Sequence, residues 1–140
     1  MKFMTIFIAM LLGGCVVAAQ SHVPDNLTGL TKWRLIELDG QNVVAESGVT
    51  LSIDIPQMTL SGSAGCNRFR SSFEDSGDRL EIGPVALTKR FCTLPKGIME
   101  QETAFVHVLR SVDHLSHDGE SLKASGGIGT LVFVPLRDAH

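Results

Sequence analysis

Residues 50–62 read TLSIDIPQMTLSG. Leu51, Ile53 and Ile55 alternate with Ser52 and Asp54, and Met58, Leu60 and Gly62 alternate with Thr59 and Ser61. Neighbouring side chains of an extended chain point to opposite faces, so this alternation marks strands with one buried face. Pro56-Gln57 divides the two runs. Proline has no N–H to give to a ladder, so the break is a connection between strands.

The same period continues on both sides. Upstream, residues 31–38, TKWRLIEL, place Trp33 and Leu35 on one face and end at Asp39-Gly40, a dipeptide suited to a hairpin turn. Downstream, Phe69 and Phe73 stand four apart, which puts both on one face of an extended segment. Residues 75–78, DSGD, read as a turn, Leu80 and Ile82 as a short strand, Gly83-Pro84 as a break, and residues 85–88 as another short strand.

The period changes once. Ile98, Phe105, Val108, Leu109 and Val112 follow the helical repeat, with Glu100 and Glu102 in the first turns where the helix dipole favours acids. After the helix, residues 115–117 and 122–124 flank Asp118-Gly119 as a hairpin, residues 126–129 form a loop, and residues 130–136 close the chain as a strand. Pro135 places that strand at an edge or at its own end. The fold class expected is mainly β with one helix (α+β). About seven or eight short strands make a small antiparallel barrel or curled sheet, with the helix before the last hairpin.

The first nineteen residues read as an export signal. Lys2 precedes an uncharged apolar run over residues 3–12, too short to span a bilayer but suited to a signal peptide. Two processing readings stay open. Residues 12–15, LGGC, fit a lipobox with lipid on Cys15, whereas Val17-Ala18-Ala19 fits ordinary cleavage before Gln20. The lipobox leads, and the apolar residues 16–19 after it count against it. Residues 20–29 read as a polar linker and residues 30–137 as the domain. Loss of residues 1–19 removes Lys2 and no acid, leaving 11 cations against 15 acids, about −4. That mild acidity excludes any general attraction to nucleic acid.

Cys66 and Cys92 then remain. An even pair outside the cytosol reads as a disulfide, with two separate buried thiols as the alternative. A bond between them would gather Arg68, Arg70, Lys89 and Arg90 into a candidate anion- or partner-binding cluster. The bland reading pairs these cations with Glu100, Glu102 or Asp75, or leaves them solvated. Asn67 suits a turn or a side-chain bond to the backbone, and Gly62 and Gly65 suit a bulge or close packing.

Residues 62–69, GSAGCNRF, residues 88–92, TKRFC, and residues 99–105, MEQETAF, together with Trp33 and Asp39-Gly40, resemble the META domain, also called HslJ-like. The resemblance covers about residues 30–136. It implies a small barrel-like fold with a helix, a cell-envelope location that is often lipid-anchored, links to heat-shock induction and novobiocin resistance, and no accepted catalysis. Lys89-Arg90-Phe91 stands between the Thr and the Cys where members often show Arg-Met.

Catalytic and metal chemistry find little footing. Ser63 lies in GSAG, not in the nucleophile-elbow pattern. His107, His114 and His117 fall on a polar helix face and on opposite faces of a strand, so no metal or cofactor is expected. The expectation is a non-catalytic envelope protein of stress or antibiotic tolerance. It would bind an envelope protein or an anionic envelope component, and meet the membrane only through a lipid anchor. A small-ligand carrier and a periplasmic inhibitor of a lytic enzyme are the alternatives.

Overall fold

The computed structural model describes Gly14 and residues 22–137. The processing readings at Cys15 and Ala19 lie outside the described residues. Ten β segments and one helix follow in chain order: β1 (Leu30–Leu38), β2 (Gln41–Asn42), β3 (Thr50–Asp54), β4 (Thr59–Ser63), β5 (Arg68–Asp75), β6 (Leu80–Ile82), β7 (Ala86–Leu87), α1 (Ile98–Ser111), β8 (Val112–His117), β9 (Leu122–Gly126) and β10 (Thr130–Pro135). Eight of the strands form one antiparallel path, β6-β5-β4-β3-β1-β10-β9-β8, while the two-residue β2 and β7 hang on β1 and β5. The two ends of the path, β6 and β8, meet. The sheet is therefore a nearly closed barrel, which leaves little open edge for another chain to join. The helix precedes the last three strands, as the sequence pattern predicts.

Alternation decides which residues fill the barrel. Leu51 and Ile53 of β3, Leu60 of β4, and Phe69, Ser71 and Phe73 of β5 point inward and are buried. Ser71 is the polar exception, and its hydroxyl donates to the Gly83 carbonyl at 2.9 Å. The helix lays Ile98, Phe105, Val108 and Leu109 against this core, and Phe105 meets Phe69 edge-on with ring centroids 5.5 Å apart. Burying each such side chain contributes about 1.5–3 kcal/mol before the cost of ordering it. The helix ends without a loop, because Val112 turns extended and enters β8 directly. Asp39 and Gly40 both take positive φ, the turn geometry expected between β1 and β2. Pro135 is the last residue of β10, opposite Trp33, so it costs the ladder nothing at the centre of the sheet.

The segment read as a polar linker, residues 20–29, packs on the barrel from His22 onward. The backbone N–H groups of His22 and Val23 donate to the Asp75 carboxylate at 2.9 and 3.1 Å, and Leu27 is buried in the core. Its polar composition hid one apolar anchor, and a single leucine carries no period.

The β8–β9 turn depends on Asp118. Its carboxylate accepts the N–H groups of Ser121 at 2.7 Å and Glu120 at 2.8 Å. These bonds, that to Ser121 first, hold its pKa below the ordinary value. A carboxylate with a depressed folded pKa stabilises the fold above its unfolded pKa of about 4, and that support is lost as pH falls through the folded value. Asp118→Ala should therefore lower the melting temperature slightly at about pH 7, and the difference from wild type should be smaller near about pH 2. Thermal melts of both proteins at the two pH values check this.

Candidate functional site

The β4–β5 turn, the segment after β7 and the first turns of α1 converge. Cys66 and Cys92 form a disulfide with S–S 2.03 Å and Cα–Cα 5.8 Å. Gly65 lets the turn approach the helix: it has φ +118°, and a Cβ there would stand 2.8 Å from Ile98 Cδ1. Gly62, three residues earlier, faces the Thr50 carbonyl so closely that a Cβ would lie 2.2 Å from its oxygen.

Asn67 is buried at the centre, and its side-chain amide makes the four bonds an amide can make. Its Nδ2 donates to Glu102 Oε1 at 2.6 Å and to the Arg90 carbonyl at 3.0 Å. Its Oδ1 accepts from the Arg90 N–H at 2.6 Å and from Thr88 Oγ1 at 2.9 Å. Glu102 is 5% exposed. Its Oε2 accepts the backbone N–H groups of Cys66 at 2.9 Å and Asn67 at 2.7 Å. Beside it, Gln101 Oε1 accepts the Val44 N–H at 2.6 Å, so the same helical turn also holds the loop after β2. Of the two roles the sequence leaves open for Asn67, a turn or a side-chain bond to the backbone, the structure shows the bond. The roles of Gln101 and Glu102 are new. Their signal was available, since they stand three and four residues after Ile98, polar side chains at the phase of the buried stripe.

The four cations reach the surface around this junction. Arg68 faces Thr88 across the ladder: the Thr88 N–H donates to the Arg68 carbonyl, and the Arg68 N–H donates to Thr88 Oγ1, both at 3.0 Å. Arg70 pairs with Ala86, one outward position further along β5. Lys89 and Arg90 follow directly, and all four side chains are exposed. Among the described residues, none of the four has a carboxylate within ion-pair distance. Of the two bland alternatives, pairing with Glu100, Glu102 or Asp75 does not occur among the described residues, and the four cations stay solvated. Glu102 is turned inward onto Asn67, and Asp75 meets the N-terminal segment.

The same segment carries a feature the sequence reading passed over. Phe91 is 80% exposed and Leu94 is 79% exposed, on either side of the bonded Cys92. Of the three histidines, His107 is exposed on the helix, His114 faces outward, and His117 packs edge-on against Trp33 with centroids 5.1 Å apart.

The order of these fastenings along the chain, Gly-Cys-Asn, then Thr to Cys, then the helix with its buried acid, matches a known pattern. The META domain model fits residues 25–138. The chain belongs to the META domain family. Three solved structures share the fold. One, determined by NMR, has a TM-score of 0.60 at 22% identity, with 75% of this chain and 88% of that chain covered. A second NMR structure, of a protein from Burkholderia xenovorans, has a TM-score of 0.56 at 24% identity, covering 77% and 83%. The crystal structure of a DUF4847 family protein from Bacteroides vulgatus has a TM-score of 0.52 at 13% identity, covering 78% and 94%. No curated protein matches the chain. Among the described residues, no helix of this META protein is long and apolar enough to cross a membrane.

Proposed function

We propose that this META-domain protein is a non-catalytic binding domain of the bacterial cell envelope. It would serve stress or antibiotic tolerance by recognising an envelope partner through the basic surface at the disulfide. One contrast carries the reading. The chemically capable groups of the family signature are spent on one another: the two thiols in a bond, and Asn67, Thr88 and Glu102 in a closed set of hydrogen bonds. Arg68, Arg70, Lys89 and Arg90 remain exposed with no acid in reach among the described residues. A nucleophile needs a free group beside a base, whereas recognition needs charge held rigidly at a surface. The N-terminal run read as an export signal and the family's usual setting support a location of this surface outside the cytosol.

A small-ligand carrier draws no support, because Trp33, Phe69, Phe73, Phe105 and Phe133 occupy the interior. An inhibitor of a lytic enzyme keeps one specific argument, the projecting Phe91 and Leu94 on a braced loop.

Charge reversal tests the proposal. In Arg68→Glu/Arg90→Glu both side chains are exposed, and Arg90 serves the network only through its backbone, so stability should change by less than about 0.5 kcal/mol per site. In a strain lacking the protein, the wild type should restore tolerance to heat or novobiocin and this variant should not. Full restoration by the folded variant refutes the basic surface as the recognition element.

A further inference from the structure

Residues 88–97, TKRFCTLPKG, carry Lys89, Arg90 and Lys96 and no acid, in a chain whose net charge is −3. On this short loop Phe91 and Leu94, the most exposed of the large apolar side chains among the described residues, stand between those cations. Arg68 on the adjoining strand enlarges the same basic surface. Charge of one sign and protruding apolar groups occur together here, and they constrain the partner jointly. A free small anion would satisfy the cations and leave Phe91 and Leu94 in water. A purely apolar groove would bury the side chains and strand the cations. An anionic lipid surface meets both, taking the rings and methyl groups at headgroup depth while its phosphates face Lys and Arg.

Exposure and rigidity agree with that partner. At about four-fifths exposed, the two side chains stand clear of the barrel, a form suited to entering a fluid interface. The loop beneath them is fixed before any contact is made. Cys92 is bonded to Cys66, and Arg90 is held at both its N–H and its carbonyl by Asn67. Little ordering therefore remains to oppose docking. The nearest acids in sequence, Glu100 and the buried Glu102, lie beyond the loop on the helix.

We infer that loop 88–97 is a membrane-docking device, which inserts Phe91 and Leu94 among anionic headgroups while Arg68, Lys89, Arg90 and Lys96 hold the phosphates. This rests on the proposed recognition role of the basic surface and names its partner. It also adds a membrane contact besides any lipid on Cys15, which was the sole one expected from the sequence.

The test uses the chain from Gln20 onward, which contains every element of the barrel and excludes a lipid anchor. It is sedimented with vesicles of phosphatidylglycerol in phosphatidylcholine, and with pure phosphatidylcholine. Binding should require the anionic lipid and weaken as salt rises from about 0.05 to 0.5 M. Phe91→Ser/Leu94→Ser should weaken it by about tenfold or more. Lys89→Glu/Arg90→Glu should weaken it by roughly 25-fold or more, at about fivefold for each charge. Depth is read separately with Phe91→Trp. The one native tryptophan, Trp33, is buried, so a blue shift and quenching by brominated lipid would report position 91. Vesicle binding that is absent, or unaltered in Phe91→Ser/Leu94→Ser, overturns the inference. If it is absent while Arg68→Glu/Arg90→Glu still loses complementation, the partner is a protein and only the lipid assignment falls. If complementation survives as well, the recognition role falls with it.

Discussion

Glu102→Gln, a change of one atom in the side chain, should lower the stability of the domain by about 2–4 kcal/mol. Three N–H donors converge on the carboxylate: the backbones of Cys66 and Asn67 on Oε2, and Asn67 Nδ2 on Oε1. An amide has one acceptor oxygen. If that oxygen serves the two backbone donors, its own NH2 confronts Asn67 Nδ2. If the amide turns over, the NH2 confronts both backbone donors. Asn67 cannot turn to relieve the clash, because Arg90 holds its Oδ1 and its Nδ2 and Thr88 holds its Oδ1 as well. Each buried donor left without a partner costs about 1–3 kcal/mol, and either orientation strands at least one while opposing two donors. A neutral amide is cheaper to bury than a carboxylate, which offsets part of the loss, but the converging donors are what makes this carboxylate affordable. Glu100→Gln, on the exposed side of the same turn, should stay within about 0.5 kcal/mol of wild type. Urea unfolding of the three proteins measures both. Equal stability for Glu102→Gln and wild type would mean that the network does not fasten the turn to the helix.

The network also shows where sequence reasoning stops. Strands β3, β4 and β5 were legible because each buries one face, and a period of two records that directly, down to Phe69 and Phe73 sharing the interior. The helix was legible through Phe105, Val108 and Leu109 for the corresponding reason. Glu102 was passed over although its phase put it on the buried stripe, because an acid near a helix N-terminus reads as dipole compensation on the surface. Only the packing of Gly65 against Ile98 brings the backbone donors of Cys66 and Asn67 within its reach. The choice between paired and solvated cations was open for the same cause, since Glu102 is taken by backbone 35 residues away. Phe91 and Leu94 lie in an irregular segment, where no period separates a buried apolar residue from an exposed one.

Loss of the disulfide is the second large effect expected. The bonded cysteines are 26 residues apart, and closing a loop of that length removes unfolded-state entropy worth roughly 3.5 kcal/mol. Against a net stability of about 5–15 kcal/mol for a domain, that is a substantial fraction. Cys66→Ala/Cys92→Ala is the informative variant, since Cys66 is buried and a serine hydroxyl would arrive there without an assigned partner. The backbone N–H of residue 66 keeps its bond to Glu102 in that variant, so the folded network is retained. The melting temperature should fall by roughly 10–20 °C. Combining the change with Glu102→Gln distinguishes how the bond acts. A covalent link that works by restricting the unfolded chain is indifferent to the native hydrogen bonds, so the two losses should add within about 0.5 kcal/mol. A link that instead holds residues 88–92 in place for Asn67 would make the second change nearly free after the first. Near-additivity is the expected outcome, because Asn67 grips Arg90 and Thr88 without help from either sulfur. A combined loss no greater than that of Cys66→Ala/Cys92→Ala alone would show that the network cannot close unless the sulfurs are joined.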